Sequence, residues 1–144
     1  MEKEKYPIIK KEILFNASKA KVWEVLTSAE KIKEYMFGTT VISDWKADTP
    51  ILFTGTWEGK PYEDKGTIRK FEPEKLLQYD YWSNFSGIAD IPENYILLTF
   101  RLSEQNGATK MIFTQENSAT QTMYEHSLEN WEAVFNKMKA LLEA

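Results

Sequence analysis

The chain has 144 residues, 42% apolar, 28% charged and 14% aromatic, and its 18 basic and 22 acidic residues leave a net charge of −4. The absence of cysteine excludes disulfides, zinc–thiolate sites, iron–sulfur clusters and thiol nucleophiles, and a single histidine excludes any site built on two imidazoles. Net acidity without a basic cluster argues against a nucleic-acid partner, and no apolar run reaches the roughly 20 residues that membrane insertion requires.

The length is that of one domain, expected to span residues 1–144 and large enough to bury a core without metal or disulfide staples. Met1 to Lys11 holds Lys and Glu almost throughout, with no apolar leader segment, so the expected compartment is the cytoplasm. Ile8-Ile9 and Ile13-Leu14-Phe15 predict a first strand, interrupted by the charged Lys10-Lys11-Glu12. Asn16-Ala17-Ser18 offers helix caps, and Val22, Trp23, Val25 and Leu26 fit one buried helical face. Thr27-Ser28-Ala29-Glu30 has capping-box spacing and predicts a second short helix carrying Ile32, Tyr35 and Met36, stopped near Gly38.

From Thr39 to Glu116 the pattern changes to period two. Ile51, Phe53, Gly55 and Trp57 alternate with Leu52, Thr54 and Thr56 in one strand, and Glu58-Gly59-Lys60 turns into the next, Tyr62 to Phe71. Glu72-Pro73-Glu74 ends that strand and Leu76 to Trp82 forms another. Tyr95 to Leu102 and Lys110 to Glu116 follow, joined through Asn106-Gly107, the dipeptide that most strongly signals a tight hairpin. Hairpin connections make the sheet antiparallel.

The tail returns to a helical period. Ser118-Ala119-Thr120-Gln121 has capping-box form, and a helix from about Ala119 to Glu143 is roughly 37 Å long at ~1.5 Å per residue. Tyr124, Ser127, Leu128, Val134, Phe135, Met138, Leu141 and Leu142 share one side with Trp131, while Glu125, Glu129, Asn136, Lys137 and Glu143 take the other. That apolar side needs cover, and the sheet is the large apolar surface left to supply it.

Few residues invite catalysis. His126 falls away from the buried side of the last helix and reads as a surface histidine. Ser127 points elsewhere on the wheel, so the two do not make a triad. The acidic pairs Glu63-Asp64, Glu72 with Glu74, and Asp90 with Glu93 each abut a turn, where solvated turn chemistry is the expected role; only buried, converging carboxylates do acid–base work. No catalytic residue, metal site or cofactor is therefore expected. The aromatic set is the informative feature, and read from the residues alone it is equally a packed core or the wall of a ligand cavity.

Val22-Trp23-Glu24-Val25-Leu26-Thr27, Ile32-Lys33-Glu34-Tyr35-Met36-Phe37-Gly38, Ser43-Asp44-Trp45, the Phe53-to-Gly66 stretch with Tyr62-Glu63-Asp64-Lys65-Gly66, and His126-Ser127-Leu128-Glu129-Asn130-Trp131 carry a resemblance across nearly the whole chain. They resemble the START-like (SRPBCC) domain family named for the activator of the 90-kilodalton heat-shock protein ATPase. The resemblance implies an α+β helix-grip fold: a curved antiparallel sheet wrapped around a long C-terminal helix, with two short helices after the first strand. It also implies a space between sheet and helix, which shifts the aromatic set toward cavity walls.

The expected function is non-enzymatic binding of a small apolar or aromatic molecule. The walls would be Phe53, Trp57, Tyr81, Trp82, Phe85 and Tyr95, with Trp131 and Phe135 from the helix. Two alternatives stand beside it: a chaperone-interacting module and a cyclase- or hydrolase-like enzyme of the same fold. A buried carboxylate facing the cavity would favour the enzyme, and a filled core with an exposed apolar patch the interaction module. The first strand begins near Ile8, so the separate N-terminal domain of the eukaryotic activators is expected to be missing, and with it stimulation of a chaperone ATPase.

Overall fold

The structure, a computed structural model, describes residues 7–83, 87–118 and 120–143. The first strand, β1 (Ile9–Phe15), runs unbroken through Lys10-Lys11-Glu12, contrary to the expected interruption. Its charges are tolerated because each finds an outlet: Lys10 is exposed, Lys11 reaches Glu132 of the last helix at 3.6 Å, and Glu12 pairs with Lys110 on the neighbouring strand at 3.0 Å. A lysine stem can line apolar surface while its head stays solvated.

Helix α1 (Lys19–Thr27) begins at Ser18, whose hydroxyl accepts from the Lys21 amide at 3.2 Å, and it buries the four predicted apolar residues. Helix α2 (Ala29–Tyr35) follows at once, yet the expected Thr27–Glu30 capping box is not its start. Thr27 is the last residue of α1, and its hydroxyl donates back to the Trp23 carbonyl at 2.8 Å. That back-bond uses the group the box would have needed. The Tyr35 hydroxyl donates to the Val25 carbonyl at 2.9 Å and fastens the two helices together. Gly38, at φ 85°, closes α2 by donating its amide to the Lys33 carbonyl at 3.0 Å.

Strands β2 (Thr40–Ser43), β3 (Pro50–Trp57), β4 (Lys60–Glu72), β5 (Leu76–Tyr81), β6 (Ile96–Gln105) and β7 (Ala108–Glu116) complete the sheet, with a single 3₁₀ turn at Pro92–Asn94 ahead of β6. Among the described residues the strands are ordered β1-β7-β6-β5-β4-β3-β2, with every neighbouring pair antiparallel. The chain thus meanders from β2 to β7, and β1 closes the far edge beside β7. Asn106 and Gly107 both have positive φ, 52° and 84°, the mirror-image turn whose twist suits a two-residue hairpin.

Gly66 on β4 has a different reason. A β-carbon there would lie 1.7 Å from the Asp80 carbonyl oxygen, so the backbones of β4 and β5 can approach this closely only around glycine. A shift of register between Ile68 and Lys70 follows. Such irregularities bend a strand and increase its twist.

The last helix, α3 (Gln121–Leu142), lies across the concave face. Its cap is Thr120, which accepts from the Met123 amide at 3.1 Å; Ser118, the expected cap, is instead buried beside Gln115. Trp131 packs on Phe113 of β7 with ring centroids 4.5 Å apart, and Phe135 on the same ring at 5.1 Å. Aromatic contacts then pass from Phe113 to Phe100, from Phe100 to Tyr79 and from Tyr79 to Phe53, so one belt of rings crosses β7, β6, β5 and β3. Tilted and edge contacts of this kind add about 0.5–1.5 kcal/mol each beyond area burial. The architecture is the expected curved sheet around a long C-terminal helix, with two short helices after β1.

Candidate functional site

Period-two alternation decides what faces α3. On β3, Ile51 and Phe53 point inward; on β4, Asp64 and Ile68; on β5, Leu77 and Tyr79; on β6, Ile96, Leu98 and Phe100; on β7, Met111, Phe113 and Gln115. At one end these side chains do not meet the helix fully and leave a cavity of about 180 Å³. Phe53, Tyr79, Tyr81, Ile96 and Leu98 form its sheet wall; Ser127, Asn130, Trp131 and Val134 form its helix wall. Phe37 and Thr39, from the turn between α2 and β2, stand at its mouth together with the exposed Asn130.

The cavity carries two polar devices. Asp64, only 7% exposed, accepts a hydrogen bond from the Tyr81 hydroxyl. Burial, and then the Asp64 charge beside it, push the Tyr81 phenol well above its ordinary range, so it stays a donor at neutral pH. Tyr79 is likewise raised, by burial. The second device centres on Gln115, which is 1% exposed. Its amide nitrogen donates to Ser127 at 2.9 Å and Ser118 at 3.3 Å, and its carbonyl accepts from the Trp131 indole at 2.8 Å. Both amide hydrogens and the carbonyl oxygen are thereby engaged, and the network fixes the rotation of α3 over the sheet.

Of the predicted wall residues, Phe53, Tyr81 and Trp131 line this cavity. Phe135 is buried one turn further along α3, stacked 5.5 Å from Trp131 and bordering a residual gap of only about 10 Å³. Trp57 requires correction: it shares the inward parity of Phe53 but pairs with Lys60 at the hairpin end, beyond the helix, and is 61% exposed. Trp82 and Tyr95 also stand outside the cavity. Trp82 instead borders a neighbouring space with Tyr81, Ile96 and the α3 residues Met123, His126 and Ser127.

There Trp82 donates its indole N–H to the Ile88 carbonyl at 3.2 Å, with the Lys65 ammonium 5.7 Å above its ring. The Tyr95 hydroxyl donates to Asp90 at 2.5 Å, and that contact, after burial, raises its phenol to about 12. Phe85 lies outside the described residues.

Asp64 is the main residue that sequence reasoning placed wrongly, as a solvated turn carboxylate. Its signal was parity: it stands opposite Phe53 in the β3–β4 register and shares a face with Ile68. Gln115 was equally legible as the inward successor of Met111 and Phe113. His126 is exposed, as expected, and among the described residues no group of three or more His, Cys, Asp or Glu is placed to hold a metal ion.

A curved antiparallel sheet gripping a C-terminal helix over an aromatic cavity defines a helix-grip protein. Residues 16–143 match the family model described as "Activator of Hsp90 ATPase homolog 1-like protein", and the chain belongs to that family. Its fold is similar to the solution structure of ChR145 from Cytophaga hutchinsonii, at 43% identity and TM-score 0.84, covering 97% of this chain and 96% of that one. At 19% identity it is similar in fold to the Aha1 dimer from Colwellia psychrerythraea, TM-score 0.74, over 96% and 97% of the two chains. It is also similar in fold to Ara h 8.0201, at 11% identity and TM-score 0.77, over 94% and 97%. Among curated proteins none matches.

Proposed function

We propose that this protein binds a small apolar or aromatic molecule in the cavity between sheet and α3 and releases it unchanged. The observation that carries this reading is a gap of about 180 Å³ walled by aromatic rings where a core of this size would be filled. An engineered apolar cavity of about 150 Å³ accommodates benzene, so the space suits a single ring with a short substituent. The predicted cavity walls Phe53, Tyr81 and Trp131 are retained in this reading, and Tyr79, Ile96 and Leu98 join them.

The buried Asp64 favours a second reading, acid–base catalysis, because a carboxylate facing the cavity is what such chemistry requires. The first reading is preferred on the rest of the site. Asp64 already holds the Tyr81 hydrogen bond, His126 is exposed, and the Ser127 hydroxyl accepts from the Gln115 amide. A filled core would favour the chaperone-module reading, and the open cavity weighs against it.

Titration of ¹⁵N-labelled protein with propylbenzene tests the proposal. Saturable shifts confined to amides around Phe53, Leu98 and Trp131, with the probe recovered intact, are the expected result. No saturable binding, or chemical conversion of a bound probe, would overturn it.

A further inference from the structure

The helix wall of the cavity changes character along α3. Trp131 and Val134, both buried, line it with apolar surface, while the half-buried Ser127 and the exposed Asn130 bring a hydroxyl and a carboxamide. Residues three apart share one face of a helix, with β-carbons about 5–6 Å from each other. The two polar groups are therefore close enough to meet a single ligand atom from either side.

Both have hydrogen-bonding capacity to spare. The Trp131 indole can only donate, so its bond at 2.8 Å turns the Gln115 carboxamide with its oxygen to the indole and its nitrogen to the serines. At Ser127 that nitrogen is the donor, at 2.9 Å, so the hydroxyl oxygen accepts and its own proton points elsewhere. No acceptor among the described residues takes that proton, and the Asn130 carboxamide has no hydrogen-bond partner among them. Serine and asparagine are also weak helix formers in mid-helix positions. Gln115 accounts for Ser127; nothing within the fold accounts for Asn130.

The remaining polar groups of the wall are answered inside the protein. Tyr81 donates to Asp64, which has a further interaction of its own, and Thr39 is bonded to the Tyr62 hydroxyl at 2.6 Å. Ser127 and Asn130 are neutral, and among the described residues no Lys, Arg or His lines the cavity, so an anion would find no counter-charge there. A hydroxyl suits the pair from both directions: it accepts from the Ser127 O–H and donates to the Asn130 carbonyl oxygen.

We propose that the cavity takes a small neutral aromatic alcohol, its ring against Trp131 and the sheet and its hydroxyl between Ser127 and Asn130 at the mouth. This deepens the ligand-binding reading and rests on it. The apolar part is buried where the walls are rings, and the polar part stays where the wall is polar and water is near.

Propylbenzene and 3-phenylpropan-1-ol differ by one hydroxyl, so the ratio of their dissociation constants, compared between parent and variant, isolates that group. Amide-shift titrations of the full chain supply the constants. Asn130→Ala changes an exposed position where alanine favours the helix. It is expected to weaken the alcohol by about threefold to tenfold, the worth of a neutral hydrogen bond, while propylbenzene changes less than about twofold. Ser127→Ala, which leaves Gln115 its bond to Ser118, should move the ratio in the same direction; Asn130→Ala decides the matter where that variant does not fold. An unchanged ratio in either variant when folded, or tighter binding of 3-phenylpropanoate than of the alcohol by the parent, overturns the hydroxyl assignment and leaves the cavity reading standing. Failure of both the alcohol and propylbenzene to bind the parent overturns both.

Discussion

Replacing Trp131 by Phe isolates what joins the last helix to the sheet. The indole is 8% exposed, its N–H donates to the Gln115 carbonyl at 2.8 Å, and its ring meets Phe113 at 4.5 Å and Phe135 at 5.5 Å. Phenylalanine keeps much of the ring contact but removes the donor and part of the apolar bulk. A buried carbonyl left without its donor costs about 1–3 kcal/mol. The lost ring atoms, equal to roughly two methylenes, cost about 1.5 kcal/mol more at ~0.8 each. Some of the new space merges with the existing cavity, where water can reach Gln115, so the net loss is set at about 2–4 kcal/mol.

Urea denaturation measures that loss, with an unchanged slope showing that the unfolded state is not altered. Gln115→Met in the same background should then cost less than it does alone, a coupling of about 1–2 kcal/mol between directly bonded partners. A loss below about 0.5 kcal/mol together with zero coupling would refute both the hydrogen bond's role and the orientation of α3 described above.

Two further outcomes follow from single features. Gly66→Ala should cost about 3 kcal/mol or more, because its β-carbon would meet the backbone oxygen of Asp80 at 1.7 Å and a strand backbone cannot step aside; a thermal melt unchanged from the parent would contradict the close approach of β4 and β5. In alkali, the phenols of Tyr35, Tyr79 and Tyr81, raised first of all by burial, should stay protonated in the native protein after unfolded tyrosines have ionised near pH 10. The unfolded chain then binds fewer protons than the native one, so stability is intact below about pH 10 and falls as pH rises beyond it. Ultraviolet titration that finds these three ionising together with free tyrosine would refute their burial.

The fold was legible where one physical signal acted alone. The Asn106-Gly107 hairpin, the Ser18 cap and the amphipathic face of α3 each follow from local chemistry, and each stands where expected. Strand β2, four residues long, is too short to display alternation and went unmarked. Both capping boxes failed for a common reason. Thr27 and Ser118 have better partners than the helix start behind them, Trp23 for the one and Gln115 for the other.

The site was legible only in its rings. Trp57, Trp82 and Tyr95 were drawn in by residue type, whereas parity and the reach of α3 decide which side chains enter the cavity. Asp64 was passed over because turn proximity outweighed register. Its parity with Ile68 was the local signal, and pairing with β3 sets it opposite Phe53.

Whether the gap is a binding site or a packing fault has a test in the sign of one methylene. Val134 is buried on α3 and borders both the large cavity and the small residual gap behind it. In a filled core, Val134→Ile forces an extra group among close-packed neighbours and costs about 1–3 kcal/mol. Beside a real gap the same methylene enters empty space and stabilises by up to about 0.8 kcal/mol, with no penalty in helix propensity. The expected outcome is therefore a more stable protein that binds propylbenzene less well, since probe and methylene compete for one volume. Stabilisation coupled to weaker probe binding places methylene and probe in one volume, the open space beside α3. Destabilisation with probe affinity unchanged would show that Val134 faces a closed core, and the cavity reading would fall with it.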